Sequence, residues 1–198
     1  MTEVMSNHSS TSEPHIMRKR TLALILVLIT LTISGTVYGI LQRNKTTQKT
    51  TVTLRINGLV QNPLNLTIHE IQTMPKTVIN AQLICVDFPS SPIASGNWTG
   101  VQLAYLLQQA KVNQTAIKIA FHADDGYTTD LTVQDAMKEN IIIAYELDDQ
   151  PLTEGLRLIV PGRWGYKWIS QLTTIELVDY DFKGTWESRG YSDQTIIP

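Results

Sequence analysis

The sequence contains a single cysteine, Cys85, which lies among apolar residues in the stretch AQLICVDFP. A thiolate is a soft metal ligand and a reactive nucleophile. One cysteine cannot form an internal disulfide, and a Cys/His zinc cage is excluded because two of the four histidines, His8 and His15, lie in the N-terminal tail. A lone cysteine is more often a buried core residue than a ligand, so the residue type alone leaves both interpretations open.

The segment GRWGYKW, residues 162–168, is the second place where the residue types could do chemistry. Gly165 permits close approach of the backbone to a ligand, and the ring of Tyr166 can stack on a planar group. The cations of Arg163 and Lys167 can pair with a phosphate. The segment therefore predicts either a site for an anionic, planar ligand or a tight turn with tryptophans in the core.

Other candidate groups are less specific. Tyr127 follows the turn sequence Asp124-Asp125-Gly126, where a structural role is the more common one, and Asp148-Asp149 is typical of a hairpin turn. The sequence has no Ser/His/Asp set, P-loop or GxGxxG motif, which excludes the commonest hydrolase, kinase and Rossmann sites. A net charge of −2 and a pI near 6.1 argue against a nucleic-acid partner.

Three segments precede the part of the chain that carries these groups. Residues 1–20 are polar with a basic end, RKR, and predict a disordered tail. Residues 21–42 contain no charged residue, and a helix of that length spans roughly 33 Å, enough to cross a membrane. We expect a transmembrane helix or signal anchor; a cleaved signal peptide is the alternative, although SGTVYG is only a mediocre match to a cleavage site. Residues 43–51 predict a polar linker.

The orientation of this anchor follows from two patterns. The RKR cluster before the span favours a cytoplasmic N-terminus. N-x-[ST] sequons at Asn7, Asn44, Asn65, Asn97 and Asn113 lie mostly after the span, which favours an outward-facing domain in a host that glycosylates. We therefore expect a single-pass membrane protein whose N-terminus is cytoplasmic and whose C-terminal domain is extracytoplasmic.

Residues 52–198 alternate strand and helix patterns without a regular strand-helix-strand repeat, which predicts an α+β domain with mixed or antiparallel sheets. Thr67 and Glu70 form the pattern of a capping box for a short helix that Pro75 would stop. A second, amphipathic helix is predicted over 101–110 and a third, short one over 132–139. Strand patterns are seen in VTLRING, VQNPLNLT, AIKIAFHA, IIIAYEL, LRLIVPG and QLTTIELVDYDF.

Six motifs, read in order, resemble one known family. They are LRINGLVQNPLNLTIHEIQTMP, LICVDFP, NWTGVQLAYLL, IAYELDDQPL, LRLIVPGRWGYKWI and WESRGYSD. Together they resemble the oxidoreductase molybdopterin-binding domain of sulfite oxidases and of the periplasmic methionine-sulfoxide reductase catalytic subunit. The resemblance covers residues 53–193 and implies a sulfite-oxidase-like molybdopterin-binding fold.

The resemblance also implies roles for the candidate residues. Cys85 stands at the position of the molybdenum ligand, with molybdopterin as cofactor, and Tyr127 aligns with the active-site tyrosine that would hydrogen-bond an oxo group or substrate. Arg157 and Lys167 match positions that bind the cofactor, and Arg163 joins them because of its charge, together with Gly165 and Tyr166. The implied protein transfers an oxygen atom or two electrons to or from a small molecule and exchanges electrons with a redox partner protein.

Two departures from the family pattern keep a rival hypothesis open. Cys85 is followed by Val86-Asp87-Phe88-Pro89 instead of an Asn/Arg-rich run, which argues against sulfite, and the family's His-Gly-x-Pro is shortened to Thr153-Glu154-Gly155. The rival is a cofactor-free cell-surface domain on the same fold that binds a ligand or protein. A thiol sensor at Cys85 is a third possibility, which the apolar neighbours disfavour because they predict burial.

Overall fold

Two five-stranded sheets organise the chain in the computed structural model, which describes residues 53–194 and 197. These residues fall within one unit of the chain, residues 51–198. The first sheet has the strand order β2-β1-β10-β5-β6. Its members are β1 (Leu54–Gly58), β2 (Leu64–Leu66), β5 (Lys118–Ala123), β6 (Thr128–Thr132) and β10 (Leu172–Val178). Strands β1 and β10 run parallel and the other pairs are antiparallel, so the sheet is mixed, as predicted.

The second sheet is antiparallel, with the order β3-β4-β7-β8 and with β9 paired to β7. Its strands are β3 (Lys76–Cys85), β4 (Phe88–Gln102), β7 (Ile142–Leu147), β8 (Gln150–Pro151) and β9 (Arg157–Ile159). The turn between β7 and β8 is Asp148-Asp149, as predicted; both residues have positive φ, 49° and 60°, the conformation of a two-residue hairpin turn.

The long hairpin of β3 and β4 was not predicted. The sequence pattern assigned 101–110 to a helix, but Val101 and Gln102 belong to the end of β4, and the helix begins at Leu103. The first half of β4 is mostly exposed and contains Pro89 and Pro92, so it lacks the apolar alternation that marks a half-buried strand. Backbone pairing with β3 holds it, with register shifts close to Cys85.

Three short α-helices connect the strands: α1 (Ile68–Thr73), α2 (Leu103–Ala110) and α3 (Val133–Ala136). Thr67 caps α1 in the predicted capping box with Glu70, and the helix ends before Pro75. On α2 the predicted apolar face, Leu103, Leu106, Leu107 and Ala110, is fully buried. Burial of each large side chain there contributes roughly 1.5–3 kcal/mol.

The core contains two large aromatic residues that join the second sheet to the segment after β9. Trp98 on β4 and Trp168 contact edge to face, with ring centroids 6.0 Å apart. Each indole N–H donates to a backbone carbonyl, that of Ala81 at 3.2 Å and that of Arg163 at 3.0 Å. Trp168 is thus a core tryptophan, as one interpretation of GRWGYKW predicted.

The predicted tail, membrane span and linker, residues 1–51, lie outside the described residues. Within the described part of the chain, no helix has both the length and the apolar character needed to span a membrane.

Candidate active site

A cavity of about 400 Å³ opens where the end of β3 meets the segments that follow β9 and β10. It brings together five of the residues singled out in the sequence: Cys85, Tyr127, Arg157, Gly165 and Tyr166. The remaining lining residues are Leu83, Val86, Asp87, Ile93, Asp125, Trp168, Ile169, Ser170, Trp186 and Tyr191. Aromatic rings and aliphatic groups thus share the wall with one thiol, one guanidinium group and two carboxyl groups.

Cys85 is the last residue of β3 and is half-buried in the cavity wall. It pairs with Phe88 across the two-residue turn Val86-Asp87. The prediction that its apolar neighbours bury it is wrong in part: Leu83 is 5% exposed, but Phe88 is 71% exposed because the hairpin tip projects into solvent. Cys85 is therefore only half-buried, in the wall of the cavity.

Gly165 begins a 3₁₀ turn, Gly165–Lys167, that packs against the strand carrying the cysteine. A Cβ at this position would lie 3.1 Å from the carbonyl oxygen of Ile84, which is tighter than ordinary van der Waals contact. The absence of a side chain lets the turn approach β3 next to Cys85. The glycine thus positions two cavity walls against each other.

Tyr127 and Tyr166 are linked by a short hydrogen bond. The Tyr127 hydroxyl donates to the backbone carbonyl of Tyr166 at 2.6 Å, and the Tyr166 hydroxyl donates to the carbonyl of Ser192 at 2.7 Å. Burial, and then the negative charge of Glu187, raise the pKa of Tyr127 well above its usual value. The Tyr127 hydroxyl therefore keeps its proton, which points at a backbone oxygen.

Arg157, on β9, is the one basic residue in the cavity lining of the described chain. Its Nε donates to Glu154 at 3.1 Å, and its Nη1 donates to the carbonyl of Trp168 at 2.9 Å. The Nη2 group donates no hydrogen bond to any residue in the described ranges. One edge of the guanidinium is fixed, and Nη2 is available to an anion.

Arg163 lies outside the cavity lining, although the sequence predicted it as a cofactor contact. Its side chain is buried and forms an ion pair with Asp135 at 2.9 Å. It also donates to the backbone carbonyl of Asp193 at 3.2 Å. Its charge is taken up inside the protein, where it ties α3 to the C-terminal segment.

Lys167 is likewise not brought to the cavity. Its side chain is 1% exposed, and its Nζ lies 2.9 Å from Asp130 Oδ1 and 2.6 Å from Glu187 Oε1. Residues 165–167 thus alternate in direction: Tyr166 lines the cavity, whereas Lys167 points into a buried ionic cluster. As a cofactor contact Lys167 stays a prediction, and in this arrangement the cation is already paired.

Two lining residues, Trp186 and Tyr191, were not singled out in the sequence for a role in the site. They flank a second 3₁₀ turn, Glu187–Arg189, and their rings lie 5.0 Å apart. The motif WESRGYSD contains both, so the resemblance pointed to the right segment. A single sequence could not indicate that the segment returns across the chain to close the cavity.

Comparisons with known proteins agree with these features. Residues 41–186 match the family described as oxidoreductase molybdopterin binding domain. The chain is 28% identical to an uncharacterized oxidoreductase, YuiH, of Bacillus subtilis over 70% of this chain and 71% of that protein. It is 28% identical to the catalytic subunit of the protein-methionine-sulfoxide reductase MsrP of Gluconobacter oxydans, over 68% of this chain and 49% of the relative.

Two further similarities cover a smaller share of the other protein. The NADH nitrate reductase of Volvox carteri is 30% identical over 69% of this chain but only 20% of its own length. Among solved structures, the sulfane dehydrogenase SoxCD from Paracoccus pantotrophus superposes with a TM-score of 0.60 at 21% identity, over 67% of this chain and 38% of that one. This likeness establishes a shared fold.

Proposed function

The chain belongs to the oxidoreductase molybdopterin-binding domain family, and on that premise we propose that it is a membrane-anchored, exported oxidoreductase in which Cys85 ligates the molybdenum of a molybdopterin cofactor. The observation that carries the proposal is the position of the cysteine. The only thiol in the sequence ends a strand in the wall of a cavity that also presents a guanidinium group and several aromatic rings.

The residues in this cavity fit the cofactor. A thiolate is a suitable ligand for a soft metal centre. The Nη2 group of Arg157 lacks a partner in the described chain and can donate a charge-assisted hydrogen bond to a phosphate. The ring of Tyr166 offers apolar surface to a planar pterin. When bound, a molybdenum–pterin centre supplies oxygen-atom or two-electron transfer.

Tyr127 supports the site through its hydrogen bond to Tyr166. Because its proton is donated to the Tyr166 carbonyl, its hydroxyl oxygen can accept a hydrogen bond from a ligand but has no second proton to donate. The bond holds the turn of residues 165–167 against the loop that precedes β6. In this proposal Tyr127 shapes the cavity next to Cys85.

Anchoring and export rest on sequence patterns. The uncharged stretch 21–42 is long enough to span a membrane and would contact lipid. In the described part, Asn65, Asn97 and Asn113 carry sequons and are exposed, so these side chains are accessible to a glycan. We propose that a separate redox protein exchanges electrons with the site, because one cysteine cannot hold an iron–sulfur cluster.

One observation favours the rival function, a cofactor-free binding domain. Arg163 and Lys167, two of the three cations predicted to hold the anionic cofactor, are paired with internal carboxylates. Only Arg157 is left to neutralise a phosphate in the cavity of the described chain. A neutral or weakly charged ligand would need no further cation.

The experiment that separates the two functions is the molybdenum and pterin content of the full chain, expressed in a host that makes molybdopterin. We compare the wild type with Cys85→Ser and with Ser170→Ala, which changes another polar residue of the same cavity. The proposal expects near-stoichiometric pterin and metal in the wild type and in Ser170→Ala, and loss of metal in Cys85→Ser. A metal content in Cys85→Ser equal to that of the wild type would exclude the cysteine as ligand. A folded wild type that contains neither pterin nor metal would favour the cofactor-free binding domain.

A further inference from the structure

Three tyrosine hydroxyls belong to residues that line the cavity, and they differ in their hydrogen bonds. Those of Tyr127 and Tyr166 donate to backbone carbonyls at 2.6 and 2.7 Å. The Tyr191 hydroxyl forms no hydrogen bond with any residue in the described ranges. Tyr191 is partly buried, and its hydroxyl oxygen is not among the fully enclosed polar atoms that lack a partner in the described chain, so it is open to solvent or to a ligand. Tyr191 therefore carries the tyrosine hydroxyl that is free to bond with a molecule entering the cavity.

The backbone around Tyr191 fixes the position of its ring. The 3₁₀ turn Glu187–Arg189 ends at Gly190, whose φ of 97° is in the left-handed region that glycine tolerates. The chain then reverses, and the Tyr191 N–H donates to the carbonyl of Trp186 at 3.2 Å. The reversal places the Tyr191 ring in edge-to-face contact with Trp186 at 5.0 Å and with Tyr166 at 5.5 Å.

The turn is anchored from below by Glu187. This carboxylate accepts from Lys167 at 2.6 Å and from the Thr129 hydroxyl at 2.8 Å, and its side chain is fully buried. The ring contacts with Tyr166 and Trp186, together with the 3₁₀ turn that Glu187 anchors, restrict the position of the Tyr191 side chain. A hydrogen-bonding group that is held in place before the ligand arrives loses little entropy on binding.

Other polar groups on the cavity residues also lack partners in the described part of the chain, among them the Ser170 hydroxyl and the Trp186 indole N–H. Ser170 has no ring and is not held by neighbouring aromatic contacts, so its hydroxyl can rotate to bond with water. Tyr191 differs because its ring contacts the rings of Tyr166 and Trp186. Ser170 therefore provides a matched control, a hydroxyl in the same cavity without these ring contacts.

We propose that Tyr191 is a substrate-binding residue, whose hydroxyl donates a hydrogen bond to an oxygen atom of the substrate in the cavity. The proposal rests on the proposed function, since it takes the cavity to be the substrate site. The Trp186 ring next to it forms an apolar wall for the rest of the molecule. The substrate class this arrangement fits is a compound in which a polar oxygen acceptor is joined to a small apolar group.

The test compares two small probes that differ by one oxygen, dimethyl sulfoxide and dimethyl sulfide. Binding to the full chain is followed by tryptophan fluorescence, because Trp186 lies in the cavity. Tyr191→Phe removes only the hydroxyl, and we expect Kd for the sulfoxide to rise roughly three- to tenfold while Kd for the sulfide is unchanged. Ser170→Ala should alter neither value by more than about twofold.

The unfolding temperature of Tyr191→Phe should equal that of the wild type, because the hydroxyl has no protein partner to lose in the described chain. Equal sulfoxide affinity in wild type and variant, including no measurable binding to either, would overturn the proposal. Equal weakening of both probes would also overturn it, since that result would indicate a change in cavity shape. Molybdenum and pterin content, measured on the same samples, reports separately on the proposed function.

Discussion

Substitution of Lys167 by methionine removes a charge from the centre of the buried ionic cluster and keeps a side chain of similar length. The cluster contains Asp130 and Glu187, and the side chains of all three residues are no more than 1% exposed. Asp130 would retain Lys118, whose Nζ lies 2.6 Å from its Oδ2. Glu187 would retain only the Thr129 hydroxyl, because its second oxygen, Oε2, has no partner even in the intact cluster.

The energetic cost therefore falls on Glu187. Leaving one buried charge uncompensated typically destabilises a protein by about 3–5 kcal/mol. For a domain of this size that corresponds to a fall in Tm of roughly 6–20 °C. Methionine fills most of the lysine volume, so a cavity adds little to this figure. We therefore expect Lys167→Met to lower the free energy of unfolding by this amount. The measurement is urea denaturation of the full chain, followed by tryptophan fluorescence.

Two further variants make the result specific. Lys183→Met removes a lysine that is 42% exposed and pairs with Asp181 and Asp193, so we expect a much smaller change. Adding Glu187→Gln to Lys167→Met removes the stranded charge and should recover part of the lost stability. The double variant tests whether the cost arises from Glu187 rather than from lost packing.

The same substitution decides between the two roles of Lys167. If it anchors the cluster, Lys167→Met loses stability, and protein folded at low temperature still contains pterin. If it holds the cofactor, as the family position implies, the variant loses pterin at nearly unchanged stability. The second outcome would refute the reasoning from the ionic cluster.

Two other predictions concern stability. Burial raises the pKa of Asp193, but hydrogen bonds from Lys118 at 2.8 Å and from Lys183 outweigh the effect of burial and hold the pKa below its usual value. The stability that the ionised Asp193 carboxylate contributes is present above about pH 4 and is lost as pH falls through the pKa of the folded protein. The urea midpoints of wild type and Asp193→Asn should therefore converge at low pH. A difference between the midpoints that does not change with pH would contradict this role of Asp193. Gly58→Ala should cost at least about 3 kcal/mol, because φ is 78° and a Cβ would collide with the Leu177 carbonyl oxygen. Gly126→Ala, with φ 84° and open space around it, should cost only about 1–2 kcal/mol in the same urea assay, and equal losses would contradict the steric argument.

The parts of the fold that the sequence predicted depend on local interactions. The capping box of Thr67 and Glu70, the buried face of α2 and the turn at Asp148-Asp149 all involve residues within a few positions of one another. The β3–β4 hairpin could not be recognised in this way. Its first half faces solvent and is held by backbone pairing, which leaves no periodic apolar pattern in the side chains.

In the candidate site, too, the sequence indicated which residue types are present but not the distant residues with which they pair. Cys85, Tyr127, Arg157 and the pair Gly165-Tyr166 come from four separate segments, and the structure brings them to one cavity. The charges of Arg163 and Lys167 were assigned to the cofactor because cations near glycines and aromatic rings are typical of phosphate sites. A residue type does not indicate whether its partner is an external anion or an internal carboxylate. The carboxylates that pair with them lie far away in the sequence.

Three consecutive residues of the GRWGYKW segment connect the two sides of the cavity. Gly165 packs against the backbone of β3 beside Cys85, and Tyr166 accepts from Tyr127 and contacts the Tyr191 ring. Lys167 anchors Glu187, which holds the turn between Trp186 and Tyr191. A single 3₁₀ turn therefore positions both the proposed metal ligand and the proposed substrate wall. It follows that the lysine can be essential to the site without touching a ligand, because its loss would release the wall that carries Tyr191.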